Sequence, residues 1–179
     1  MGDDHQYYFI NGSGSTYDHS FDTRASKLTF TVRYAHLEHL PCVGVGDKIT
    51  RGTKLGRMGN TGASQGAHLH IDCVHGEQHE VWKLEDAEKN EPAPAFRQLQ
   101  YFRDSELFGT PVMVTTPICD YNYFKDHNKI HTAYDLIPAD GWNSSAHFDI
   151  FWNRSKVGTV IAEGFDSAYG NYLHIKFEV

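Results

Sequence analysis

The sequence predicts a mainly β, antiparallel domain with one or two short helices, and three observations lead there. Apolar residues alternate with polar ones through Leu28, Phe30, Val32 and Tyr34, the period-two pattern of a half-buried strand. Glycines at positions 44, 46, 52, 56, 59 and 62 punctuate the next stretch at the spacing of tight turns between short strands. Helical spacing is confined to Phe96, Leu99, Phe102 and Leu107.

The elements follow in order. Residues 1–27 are rich in Gly, Ser, Asp and His and contain Gly12-Ser13-Gly14-Ser15, which reads as a flexible N-terminal segment. A strand starts at Leu28. The stretch from Val43-Gly44-Val45-Gly46-Asp47 through Gly52, Leu55-Gly56 and Gly59 follows. No helix pattern comes after these glycines, so turn-making is favoured over phosphate binding. His68–Cys73 is the next strand. Residues 74–111 form a bridging segment, with a charged, proline-containing surface excursion over 76–96 and a helix over Phe96–Phe108 whose aromatic stripe reads as core packing. After Gly109-Thr110-Pro111, strands are expected at Val112–Thr115, Ile130–Leu136, Phe148–Trp152, Gly158–Ala162 and Tyr172–Val179.

Composition bounds the function. At 179 residues and 40% hydrophobic content the chain can bury one core, and its 22% charged fraction argues against disorder. A net charge of −7 argues against general nucleic-acid binding. No apolar run approaches the length that spans a bilayer, so no membrane partner is expected. Residues 1–25 lack the basic start and apolar stretch of a secretion signal. Cys42, Cys73 and Cys119 are odd in number and unpaired by spacing, and read as small buried hydrophobes.

The chemistry gathers in two short signatures far apart in the chain. The first is Gly66-Ala67-His68-Leu69-His70, approached through Gly59-Asn60-Thr61-Gly62; the second is His131-Thr132-Ala133-Tyr134-Asp135. Histidines two apart on a strand point to one face. Two histidines and an aspartate could hold a catalytic zinc and leave a fourth position open for water. Tyr134, between the candidate ligands, reads as core. His5, His19, His39, His75, His79, His127, His147 and His174 lack such a context and read as surface, packing or satisfied polar residues.

Together with Tyr34-Ala35-His36-Leu37, Gly158-Thr159-Val160 and Tyr169-Gly170-Asn171-Tyr172-Leu173, these signatures resemble the lysostaphin/LytM-type zinc metalloendopeptidases, which hydrolyse peptidoglycan. The resemblance covers residues 28–73 and 112–179. It implies an antiparallel β-sheet groove of the duplicated hybrid motif type. It assigns one Zn2+ to His70, His131 and Asp135, and catalysis to His36 and His68. In the family the histidine–aspartate motif precedes the other two; here it follows them, so the resemblance implies circular permutation. Residues 28–179 would then be one permuted peptidase domain, with 28–73 as the histidine-pair half, 74–111 as the bridge and 112–179 as the histidine–aspartate half.

The resemblance implies a zinc endopeptidase that cuts stem peptides or cross-bridges of peptidoglycan; a monomer is expected, because the 74–111 bridge is long enough for closure within one chain rather than exchange between two. The enzyme would act at the bacterial cell wall as a secreted, virion-associated or lysis-released lysin, of host or phage origin. The alternative is a non-catalytic LytM-like structural or activator module of a phage tail or cell-wall complex. Such modules usually lose ligands, and here all five positions are filled. A lipoyl- or biotinyl-carrier reading fits the Val45-Gly46-Asp47 rhythm but offers no lysine at a carrier tip.

Overall fold

In the computed structural model the described residues are 8–10, 16–18, 29–83, 106–118, 120–143 and 147–178. They form eleven strands and one helix: β1 (Tyr8–Ile10), β2 (Thr16–Asp18), β3 (Thr29–Leu37), β4 (Lys48–Ile49), β5 (Lys54–Arg57), β6 (Leu69–His75), β7 (Val112–Thr116), α1 (Tyr121–His127), β8 (Tyr134–Pro138), β9 (Asp149–Phe151), β10 (Gly158–Asp166) and β11 (Gly170–Glu178). A seven-stranded sheet runs β4-β10-β11-β3-β6-β8-β7, and β1-β2 and β5-β9 are separate two-stranded sheets. Every pairing between these strands is antiparallel, so the fold is mainly β as expected.

The central strands are buried on both faces, so each alternation serves two purposes. Phe30, Val32 and Tyr34 of β3, Leu69, Ile71 and Cys73 of β6, and Leu173, Ile175 and Phe177 of β11 share the hydrophobic core with Leu55, Ile150 and Trp152 from the β5–β9 side. The intervening residues Thr31, Arg33, His70, Asp72 and His174 are also buried, although polar. The sheet therefore has an apolar face that stabilises it and a buried polar face on which groups can be oriented.

The two halves of the sequence meet along β3 and β11. Leu173 pairs with Tyr34, Ile175 with Val32, and Phe177 with Phe30. The Phe30 and Phe177 rings stack with centroids 5.6 Å apart. Close backbone contact supports this seam at one end. Gly62 and Gly170 both have positive φ, at 76° and 64°. A Cβ on Gly170 would overlap the Thr61 hydroxyl and main chain, and one on Gly62 would lie 2.8 Å from the Ala168 carbonyl oxygen. Only glycine meets both demands.

Several expectations need correction. His131 precedes β8 in a loop rather than lying in a strand that begins at Ile130, while β10 runs on to Asp166. A seven-residue helix, α1, was not foreseen. It buries no residue, and its local signal is the Asp120 cap, whose carboxylate accepts from the Tyr123 amide at 2.7 Å. Trp82, expected on the surface excursion, is buried against Arg33, and Cys42 is exposed. The short β1–β2 pair lies in the segment read as flexible. The helix expected over Phe96–Phe108 falls mostly outside the described residues, as does Cys119.

Two outcomes follow from this architecture. Gly170→Ala combines a positive φ penalty of roughly 1–2 kcal/mol with an overpacking penalty of roughly 1–3 kcal/mol. Its urea midpoint is expected to fall accordingly, and an unchanged midpoint would show that the seam tolerates a side chain. His174, fully buried beside Arg33, has its pKa pushed down to about 4 by burial and then by the Arg33 charge. The unfolded chain therefore binds a proton that the folded chain refuses as pH falls from ~6.5 toward 4, and stability drops through that window. In His174→Gln without metal, the stability lost between about pH 7 and about pH 5 should shrink by on the order of 1–2 kcal/mol. Urea titrations at the two pH values measure it.

Candidate metal centre

The polar face of the sheet carries the site. His70 on β6 stands directly opposite Asp135 on β8, and its other cross-strand neighbour is the small Ala35 on β3. His70 Nδ1 lies 3.1 Å from Asp135 Oδ1. From the loop between α1 and β8, His131 brings its Nε2 to 3.3 Å from Asp135 Oδ2. One donor atom from each of His70, His131 and Asp135 lies within 4.8 Å of the others. Ligands about 2.0–2.2 Å from a tetrahedral ion are themselves about 3.4 Å apart, so this nitrogen and oxygen set fits one divalent metal ion.

His68 and His36 complete the cluster. His68 pairs with Gly59 in an isolated bridge just before β6 and places its Nε2 3.5 Å from Asp135 Oδ1. The His36 ring lies 4.8 Å from that of His68 and 5.7 Å from that of His70. Thus all five residues singled out in the sequence converge, although 99 positions separate His36 from Asp135.

His36 reaches this face by breaking the alternation. Period two from Tyr34 would send its side chain into the core. Between the pairs Leu173–Tyr34 and Asn171–Leu37, however, β3 holds one more residue than β11, a β-bulge. His36 takes φ 59°, a left-handed conformation that a non-glycine residue rarely adopts. Its amide donates to the Tyr169 carbonyl at 2.8 Å. Leu37 then returns to the core.

Three of the four imidazoles are fixed by main-chain carbonyls. Nδ1–H of His36 donates to Thr61 at 2.7 Å, that of His68 to Gly66 at 2.8 Å, and that of His131 to Pro117 at 3.1 Å. A carbonyl only accepts, so each Nδ1 carries a proton; His36 and His68 keep the Nε2 lone pair, whereas His131 Nε2 faces the Asp135 carboxylate. Thr61 is itself held by its hydroxyl donating to the Leu37 carbonyl and accepting from the Asn171 amide. His70 alone has no such carbonyl partner: Nδ1 faces Asp135, and Nε2 is buried without a hydrogen bond.

The electrostatics match this division. Burial favours the neutral Asp135 carboxyl, but hydrogen bonds and charge from His131 and His70 outweigh it and hold the group far below the usual carboxylate range. Burial also opposes charge on His131, yet the Asp135 hydrogen bond and charge raise its pKa overall. His36 is pushed down to about 3, by burial first and then by repulsion from His70 and His68. It is neutral near neutrality, with an Nε2 lone pair available.

Some neighbours of the site were not assigned to it in the sequence. The Tyr123 ring of α1 lies tilted with its centroid 4.6 Å from that of His131, and the Tyr169 ring lies 5.6 Å from that of His70. Trp142 donates its indole N–H to the Ala67 carbonyl at 3.0 Å, immediately before His68. Asp72 was legible in principle, since residues 68, 70 and 72 share a face by period two. Tyr169 belongs to a motif that carries the resemblance, but nothing in it points to His70; Tyr123 on α1 and Trp142 in a loop carry no such local signal.

Comparison with known proteins agrees with the geometry. The sequence model of Peptidase family M23 matches residues 14–81, somewhat under half the chain, and that stretch contains His36, His68 and His70. Neither the curated proteins nor the solved structures give a match. Residues 14–81 are thus similar to Peptidase family M23, and the mainly antiparallel β fold is consistent with that similarity.

Proposed function

We propose that this chain is a zinc-dependent endopeptidase that hydrolyses peptide bonds in the stem peptides or cross-bridges of peptidoglycan. The observation that carries this reading is the convergence of His70, His131 and Asp135 on one point, with two further imidazoles, His36 and His68, beside it. His70, His131 and Asp135 would hold the ion. When bound, zinc would supply Lewis acidity toward the scissile carbonyl and toward water.

The remaining steps belong to the chain itself. His36 and His68, each with its proton fixed on Nδ1, offer Nε2 lone pairs that accept hydrogen bonds from the attacking water and orient it. Whichever imidazole takes that water's proton at Nε2 becomes a donor. It can then stabilise charge developing on the carbonyl oxygen and return the proton to the leaving amine. Of the two, His68 is better placed for this exchange, because its side chain is 18% exposed while His36 is 5% exposed overall.

We also infer that residues 28–179 are a circularly permuted form of the family's domain, acting as a monomer at the bacterial cell wall. The long antiparallel β3–β11 pairing supports it, because it joins the two sequence ends as neighbours. The family match, confined to residues 14–81, is consistent with an order that breaks afterwards.

One zinc per chain is the expected stoichiometry. Asp135→Ala should lose zinc and hydrolysis together while keeping the wild-type circular dichroism spectrum, since the core lies on the other face. Elemental analysis with zinc titration measures the metal; a wild-type protein that binds none would sink the assignment.

His36→Ala and His68→Ala should retain zinc and lose hydrolysis of purified wall by ~10²–10⁴-fold, the usual size of an acid–base contribution. Amino groups released from the wall give the rate. Full activity in both variants would remove these residues from the mechanism, and zinc binding without any hydrolysis in the wild type would favour the non-catalytic module.

A further inference from the structure

One row behind the candidate ligands, the polar face of the sheet holds a buried charge network that the metal chemistry leaves unused. Arg33 on β3 is fully buried and makes a two-pronged contact with Asp72 on β6, Nε to Oδ1 at 2.9 Å and Nη2 to Oδ2 at 2.6 Å. Its Nη1 donates to the Trp82 carbonyl at 2.6 Å. Its guanidinium lies between the rings of Trp82, at 4.2 Å, and Tyr169, at 3.7 Å. The Trp82 indole N–H donates to Asp72 Oδ2 at 2.8 Å. Asp72 is thus held by three donors from two residues and cannot reorient freely.

That same Oδ2 faces His70 Nε2 at 4.0 Å. Nε2 is the buried nitrogen left without a hydrogen bond, on the one imidazole of the cluster that no backbone carbonyl fixes. A metal-bound histidine commonly donates its other N–H to a carboxylate or carbonyl, which sets both tautomer and ring orientation. We propose that Asp72 is the positioning residue of the metal centre. Clamped by Arg33 and Trp82, its carboxylate holds the His70 proton on Nε2 and so presents the Nδ1 lone pair, beside Asp135, to the ion.

This inference rests on the proposed zinc site but concerns a different residue, so the two can fail separately. The burial of Arg33 and Asp72 gains a purpose from it. A buried ion pair is seldom the most stabilising filling for its space, but a rigid anion is what a ligand imidazole needs behind it.

The test is the zinc affinity of the full chain, measured by competition with a chromophoric chelator. Asp72→Asn and Asp72→Ala should bind zinc ~10–100-fold more weakly than wild type. Phe177→Leu, altered in the apolar core on the other face, should destabilise the fold and leave zinc affinity unchanged, which separates positioning from general stability. Because an Asp72 variant can leave Arg33 unpaired and fail to fold, the second measurement uses the wild type. Imidazole 1H–15N spectra of the zinc-loaded protein should place the His70 proton on Nε2. A proton on Nδ1, or an Asp72 variant that folds and binds zinc as wild type does, overturns the inference. Zinc-free wild type overturns the proposed function and this inference with it.

Discussion

The register between β6 and β8 is the constraint on which the rest of the site depends. It sets His70 opposite Asp135, two residues 65 positions apart in sequence. Because side chains alternate faces, a slip of one residue on either strand would send its group into the hydrophobic core. Leu69 and Ile71, and Tyr134 and Leu136, prevent that slip: all four are buried in the core on the apolar face. The polar site is therefore aligned by hydrophobic burial on the reverse side of the same two strands.

The second constraint is the seam between β3 and β11, where three features concentrate. The β-bulge turns His36 toward the cluster, its positive φ is held by the Tyr169 carbonyl, and Gly62 and Gly170 allow the backbones to touch. A left-handed non-glycine residue persists only where its surroundings over-determine it. Here the surroundings are two main-chain hydrogen-bond partners, Tyr169 and Thr61, on different loops. The same interactions that strain β3 thus fix the direction of an imidazole, which links backbone geometry to chemistry directly.

Packing and charge are also divided by face. The apolar side carries the folding energy, with the side chains of Trp152, Leu37, Leu55 and Ile150 among the largest fully buried. The other side buries Arg33, Asp72, His70, His131 and His174, which oppose burial unless each is paired or stacked. Arg33 and Asp72 satisfy each other, and His174 stacks on Trp82 at 4.6 Å and on Tyr172 at 4.9 Å. Mutations on the two faces should consequently differ in kind, with stability changing on one and local geometry on the other.

The sequence by itself determined the strand-rich class, the core alternation of β3 and the identity of the five clustered residues, because these depend on local period and on residue types in short signatures. Local period alone does not reach what depends on distant partners. Period two from Tyr34 would place His36 in the core, and only the pairing with β11 reveals the bulge that turns it outward. Trp82 sits in a polar stretch, and it is buried because Arg33 and His174, far away in the chain, provide its surface. His131 lies in a loop after a seven-residue helix that buries no residue, so periodicity had little to read there. That His70 lacks the carbonyl partner its three neighbours have, and faces Asp72 instead, is a fact of three dimensions: the carbonyls of Thr61, Gly66 and Pro117 are backbone atoms whose positions only the assembled sheet and its loops decide.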